Sequence, residues 1–369
     1  MTRRSLLAGG AGLLTGCATR RATLTPPLSR PSLARVLVAK DRRIRTVVGL
    51  RPFRPSGFVV RAEKLDEKTL VHNYGHGGAG ITLSWGTAQL AVEAAGPLGG
   101  RECAVLGCGV VGLSTARLLQ LYGSAVTIYA KAMPPETTSN VAGGLWEPVS
   151  LFDHPRVTPE FRRQFAAASR TAWRRYQSLA GERYGVRWLP LYSLSNDQEY
   201  TAPAPDSPNS EVESLYPESR ILSRGEHPFP VAHAHRRTTM LIEPAIYLNA
   251  LIGDFHQAGG RIVIREFAAA RDVATLRETL IFNCTGLGAR ELFDDRELTP
   301  IRGQLEFLLP QPEVDYCTVG GGIYMFPRHD GILLGGSWGR GESSLEPDPT
   351  ITERILRDNA TLFGGMRTR

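Results

Sequence analysis

Cysteine is scarce. Cys17, Cys103, Cys108, Cys284 and Cys317 are the five in 369 residues, with no even, closely spaced set for a disulfide framework. Cys103, Cys108 and Cys284 fall in or beside apolar strand-like runs, where a free cysteine behaves as a small hydrophobe. The spacing of Cys103 and Cys108 does not suit zinc. Beyond the first residues the chain lacks an apolar run long enough to span a bilayer, and it lacks internal repeats. Net positive charge is also missing from most of the chain. The net charge is +7, yet residues 1–45 carry a balance of +9 and the remainder sums to −2. A nucleic-acid binder concentrates basic charge on its folded domain, so nucleic acid is excluded as a partner.

The basic start has its own logic. Arg3-Arg4 precede the short apolar run Ser5–Leu14, and Leu14-Thr15-Gly16-Cys17 follows. A twin-arginine pair before a short apolar stretch reads as an export signal. Its ending resembles a lipobox, with cleavage before Cys17 and lipid on that cysteine. Membrane association is therefore expected only through lipidated Cys17. The arginines and Pro26, Pro27 and Pro31 that follow suit a tether.

The middle of the chain carries a recognisable unit. Cys103–Leu106 is a short apolar run, Gly107-Cys108-Gly109-Val110-Val111-Gly112 is a glycine turn, Val110–Leu121 has helical periodicity, and Ala125–Tyr129 is a second apolar run. Strand, glycine turn, helix and strand in about thirty residues form the βαβ unit that binds dinucleotides. Gly107 permits the tight turn, Gly109 lets a pyrophosphate approach the backbone, and Gly112 brings helix and strand together. Val110 and Val111 begin a helix whose positive end faces the phosphates. The acid that usually ends the second strand is missing; Tyr129-Ala130-Lys131 stands there instead. Arg261–Ile264 and Leu280–Gly286 are further strand candidates, Ile81–Ala95 is a helix candidate, and proline and serine mark residues 202–220 as a loop.

Residues 103–148 resemble the opening of the D-amino-acid oxidase family of flavoproteins. The likeness includes Thr137-Thr138-Ser139 and Gly143-Gly144-Leu145-Trp146, which in the family line the FAD. Gly49-Leu50-Arg51-Pro52-Phe53-Arg54-Pro55 resembles the family's G-x-R-P-x-R-P, and His72–Gly80 its closing glycine segment. Gly321–Gly336 resembles its substrate-domain strand pair, and Gly320, four residues before Tyr324, stands where animal members carry a lid tyrosine. The resemblance implies an α/β fold with an α+β second domain: a Rossmann-like FAD-binding domain interlocked with a mixed-sheet substrate domain. It also implies FAD as cofactor, held by Gly107, Gly109, Val110, Val111, Gly112, Thr137, Thr138, Ser139, Gly144, Leu145, Phe267, Gly77, Gly78, Gly80, Ile81 and Thr82.

The order of these motifs is unusual, because the family's tail precedes its head. Each motif occurs once, and the chain stops near Phe363-Gly364-Gly365-Met366, where the family would continue into the arginine segment found at 49–55. A circular permutation is expected, with residues 96–100 bridging the family's old ends. The expected division is a signal at 1–17, a tether at 18–44, and substrate-domain segments at 45–65, 151–240 and 301–369. FAD-binding segments are expected at 66–150 and 241–300.

By the same resemblance, Arg51 pairs with the substrate carboxylate, the Tyr324 hydroxyl is its second contact, and the Gly78 carbonyl accepts from the amine. A planar arginine fork suits a carboxylate because it fixes position and rotation together. Hydride transfer from the substrate Cα to the flavin requires orientation rather than a side-chain base. The expected reaction is oxidative deamination of a D-amino acid by oxygen. Acidic D-amino acids or secondary amines on the same fold are alternatives, with either Trp338 or Arg340 offered to the pocket by the region after Gly336, and a non-catalytic flavin-binding lipoprotein is a third. No metal is expected: His72 and His76 are four apart, but Gly75, Gly77 and Gly78 break any helix that would align them. Arg54 is expected to be an ion-pair partner.

Overall fold

The computed structural model describes residues 33–205 and 207–367. The export signal, Cys17 and residues 18–32 of the expected tether lie outside them. In chain order the first elements are β1 (Arg43–Phe53), β2 (Val59–Leu65), β3 (Lys68–Tyr74), α1 (Gly80–Ala95), β4 (Cys103–Leu106), α2 (Val110–Leu121) and β5 (Val126–Ala130). There follow α3 (Pro159–Ser178), β6 (Val186–Ser195), α4 (Ser210–Glu213), β7 (Arg220–Leu222), β8 (His233–Ile242), α5 (Pro244–Gln257) and β9 (Arg261–Ile264). The last are α6 (Ala270–Ala274), β10 (Leu280–Asn283), α7 (Ala289–Leu292), β11 (Thr299–Leu308), β12 (Cys317–Gly320), β13 (Ile323–Arg328), β14 (Gly331–Gly335), β15 (Gly339–Arg340) and α8 (Pro349–Gly364).

These strands form two sheets. The smaller has the order β2-β3-β10-β4-β5-β9, parallel from β3 to β9 with β2 antiparallel at one edge. Its β4 reads Cys-Ala-Val-Leu and is buried throughout, as a parallel strand covered on both faces must be. The larger sheet runs β1-β11-β14-β13-β12-β6-β8-β7, with β15 paired to β11. Alternate residues of its strands serve two cores. Met325, Ile332 and Leu334 pack with α8, whereas Phe326, Leu333, Cys317 and Leu191 form a separate cluster on the opposite face.

The strand–turn–helix–strand unit and the helix following the first glycine segment lie where the sequence places them. Three boundaries differ. β2 belongs to the smaller sheet, because the hairpin β2–β3 pairs along its whole length, so the substrate-domain segment expected at 45–65 ends after β1. Helix α3 packs mainly on α1 within the smaller sheet's core, and it reaches the mixed sheet where Trp173 stands edge-on to Trp188 of β6. Its Phe161, Phe165, Trp173 and Tyr176 form one apolar face, and Gly86 of α1 admits it, since a Cβ there would stand 1.9 Å from the Ala168 carbonyl oxygen. Residues 33–44, expected in the tether, lie against the domain. Val36 is buried, and the Tyr316 hydroxyl donates to the Ala34 carbonyl at 2.7 Å. The expected loop also holds the single-turn helix α4 and the start of β7. Among the described residues no helix is long and apolar enough to cross a membrane.

Candidate active site

Glycine at two positions makes the nucleotide turn possible. Gly107 has φ +104°, and a Cβ there would stand 2.6 Å from the Cys284 carbonyl oxygen. At Gly112 a Cβ would meet the Gly107 carbonyl at 2.0 Å, so α2 can approach the turn only without a side chain. Gly109 precedes the first helical residue. No acidic residue occupies the first turn of α2, which keeps its positive end available to an anion. Ser139 lies over this turn, accepting from the Val110 amide at 2.9 Å. Thr137 donates to the Asn140 side-chain oxygen, and Thr138 opens the following short 3-10 turn. This cradle fits a dinucleotide pyrophosphate.

The other glycine segment comes to the same region. Gly77 and Gly78 press against Val149 and Ser150, and the Gly78 amide donates to the Ser150 carbonyl at 2.9 Å. Gly80, Ile81 and Thr82 form the first turn of α1. The Thr82 hydroxyl lies 3.4 Å from the Leu145 carbonyl and 3.3 Å from that of Glu147. Gly144 packs on the Ile242 carbonyl, where a Cβ would come within 2.1 Å. Phe267 stands apart, at the ends of β5 and β9, edge-on to Tyr129 with the Arg265 guanidinium over its ring. Lys131 follows β5 where a carboxylate would be expected, and Glu266, one residue before Phe267, stands 3.5 Å from its ammonium.

Strand β1 connects these loops. Residues 49, 51 and 53 share one face of a strand. Gly49 abuts Val141, just past Ser139, and the Phe53 ring packs on Gly77. Arg51 lies between them. Its Nη2 donates to the Tyr324 hydroxyl oxygen at 3.4 Å, while Nη1 is shielded from solvent with no partner. Two glycines that the sequence reading did not single out make room for this pair. A Cβ on Gly303 would stand 2.7 Å from the Arg51 guanidinium, and one on Gly335 would stand 2.0 Å from the Tyr324 ring. The register explains Gly335, which lies directly opposite Tyr324. Burial raises the Tyr324 hydroxyl above the usual tyrosine range, and neighbouring Arg51 counters this only in part. The hydroxyl therefore stays protonated at neutral pH and can donate.

Of the two residues expected near the pocket, Trp338 faces Arg51, its ring centre 5.8 Å from the guanidinium. Arg340 is held by Asp153 through contacts of 3.3 and 2.9 Å. Arg54 pairs with Asp295 and Glu297. His72 lies between Glu63 and Asn283. His76 bonds Thr87 and is driven down to about 3 by burial, hence neutral. Cys103, Cys108, Cys284 and Cys317 are free and buried.

Comparison with known proteins gives the arrangement its context. The model of the family described as FAD dependent oxidoreductase (DAO) matches residues 20–94 and 102–368. A D-amino-acid oxidase of Rubrobacter xylanophilus is 33% identical over 269 residues, 71% of this chain and 77% of its own length. One of Streptomyces coelicolor is 31% identical over 71% of this chain and 77% of its own. The fold is similar to that of a glycine oxidase from Bacillus cereus, with a TM-score of 0.52 at 16% identity over 71% of this chain and 78% of that one.

Proposed function

Since the chain belongs to this family of FAD-dependent oxidoreductases, we propose that it oxidises D-amino acids to 2-oxo acids, releasing ammonia and passing the electrons to oxygen as hydrogen peroxide. The observation that carries the reading is Arg51: a guanidinium with one nitrogen unpaired in a shielded site, beside a tyrosine hydroxyl, on the strand face between the two cofactor loops. Such an arginine is poised for a carboxylate, which supplies the missing acceptor and a compensating charge together.

The residues divide the work. Arg51 takes the substrate carboxylate and fixes its rotation, and Tyr324 donates its proton to the same group. The Gly78 carbonyl accepts from the amine, orienting the Cα hydrogen. Bound FAD supplies the hydride acceptor. The glycine cradle and Ser139 would hold its pyrophosphate, and Thr137, Thr138, Gly144, Leu145, Gly77 and Phe267 would supply its further contacts. The first-turn amides of α1, at Gly80, Ile81 and Thr82, stabilise negative charge that develops beside them. The alternative of acidic substrates recognised by Arg340 loses support, because Asp153 already holds that side chain.

We also read the chain as circularly permuted. The family match broken between residues 94 and 102 supports this. So does the meeting of the described ends, where Arg35 donates to the Met366 carbonyl at 2.7 Å. For export, the twin-arginine and lipobox residues support translocation of the folded, FAD-loaded protein and anchoring through lipid on Cys17. Cys17→Ala would then shift the protein from membrane to soluble fractions. The catalytic reading is tested by aerobic turnover of D-alanine. Equal amounts of pyruvate, ammonia and peroxide are expected, and their absence with every D-amino acid tried refutes it.

A further inference from the structure

One buried charged group takes no part in the reaction as described. Arg237 on β8 is almost fully buried, contacts Glu147, and donates to Glu213 at 3.0 Å. Its guanidinium lies over the Tyr216 ring at 4.4 Å, and Trp146 stands edge-on to that ring with centres 5.7 Å apart. Two carboxylates thus face one cation, and the buried Oε1 of Glu213 has the Tyr200 hydroxyl as its one further polar neighbour among the described residues. Burial lifts the Glu147 carboxyl above its usual range, opposed by Arg237 and reinforced by Glu213, so the two carboxylates repel each other across a single cation.

The group shares a sheet face with the proposed catalytic pair. Arg237 pairs in register with Leu191, and Leu191 with Cys317. Leu191 and Cys317 cluster with Tyr324 on one face, and alternation places Arg237 there with Leu241. Glu147 links the two regions from above. Its carbonyl lies 3.3 Å from the Thr82 hydroxyl, and three residues on, Ser150 packs on Gly78. Glu147 and Ser150, the residue that packs on Gly78, thus belong to one short loop beside the sheet face that carries Tyr324.

Resting on the D-amino-acid reading above, we propose that Glu147, Glu213 and the Tyr216 ring form the side-chain end of the substrate site and select cationic side chains, an ammonium or guanidinium on an aliphatic stem. Carboxylate oxygens and aromatic faces are the groups that bind such cations. Arg237 does not serve an acidic side chain, because both carboxylates already engage it. Its role is to hold them close together and limit their repulsion.

The test uses the FAD-loaded full chain and compares kcat/KM for D-lysine, D-arginine, D-alanine and D-aspartate. D-lysine or D-arginine is expected to exceed D-aspartate by about tenfold or more, the size of one well-placed charge interaction. Glu213→Gln is expected to lower kcat/KM for the basic substrates, through KM, about tenfold more than for D-alanine. A preference for D-aspartate, or an equal loss on all substrates with a lower Tm, overturns the proposal. If Glu213→Gln does not fold, inhibition of D-alanine oxidation by 5-aminopentanoate against glutarate decides, with weaker inhibition by the amine contradicting the proposal. An enzyme idle on every D-amino acid fails at the underlying reading, whereas D-alanine turnover with no preference for bases fails at this step alone.

Discussion

Replacing Arg51 by Met should separate activity from stability. The guanidinium gives the fold little: one 3.4 Å hydrogen bond to Tyr324 and a 5.8 Å approach to Trp338, whose ring is half exposed. Against these stands Nη1, shielded and unpaired, a situation that costs about 1–3 kcal/mol. Met fills similar volume without that penalty, so unfolding free energy should stay level or rise by up to about 2 kcal/mol. Activity should move the other way. A carboxylate on the arginine fork makes two charge-assisted hydrogen bonds of about 1.5–3 kcal/mol each, so their loss lowers kcat/KM by about two to four powers of ten. The assay pairs thermal unfolding of the FAD-loaded variant with anaerobic reduction rates at several substrate concentrations. A loss of kcat/KM below about fivefold, or a stability loss above about 2 kcal/mol, would show that Arg51 is structural and refute the reasoning.

Tyr324→Phe removes one donor to the same carboxylate and should lower kcat/KM by about 10-fold to 100-fold with little change in Tm, read by the same two assays. Gly112→Ala would place a methyl group 2.0 Å from the Gly107 carbonyl oxygen; fluorescence titration of the apoprotein should show FAD affinity reduced by at least about tenfold. Although burial opposes it, Arg328 and then Arg45 hold the Asp330 carboxyl below its usual range. This contributes stability above the unfolded-state pKa, near 4, that is lost as pH falls through the lower folded value. In a Tm–pH series, Asp330→Asn should flatten that acid limb; an unchanged limb would count against the ion pair. A re-ordered chain beginning at Arg101, ending at Gly96, with Met366 joined by a short linker to Leu33, should fold and bind FAD if the permutation is real; failure to bind FAD would count against it.

The sequence exposed those parts of the protein governed by local rules. Gly107, Gly109 and Gly112 announced the turn, because the backbone at Gly107 and the packing at Gly112 admit only glycine, and Val110–Leu121 followed as a helix with its expected limits. Arg51 and Tyr324 were found through motif resemblance, and the fold brings them within 3.4 Å across 273 residues. What depended on pairing between distant segments was hidden. The amphipathic face of α3 gave no sign that its partner was α1, and β2 could not be assigned to a sheet before β3 was seen beside it. Gly303 and Gly335 looked like ordinary strand glycines. Their purpose emerges only from the side chains that lie across them. Lys131 was visible as a missing acid, but the nearness of Glu266 required the adjacent strand β9.

The central claim is that this chain removes a hydride from the Cα of D-amino acids. The direct measurement is the visible spectrum of the purified, FAD-loaded protein under anaerobic conditions as single amino acids are added. The account predicts a yellow protein whose flavin absorption bleaches with D-amino acids and holds with their L-isomers. Bleaching by L-isomers or N-methylglycine alone would contradict it.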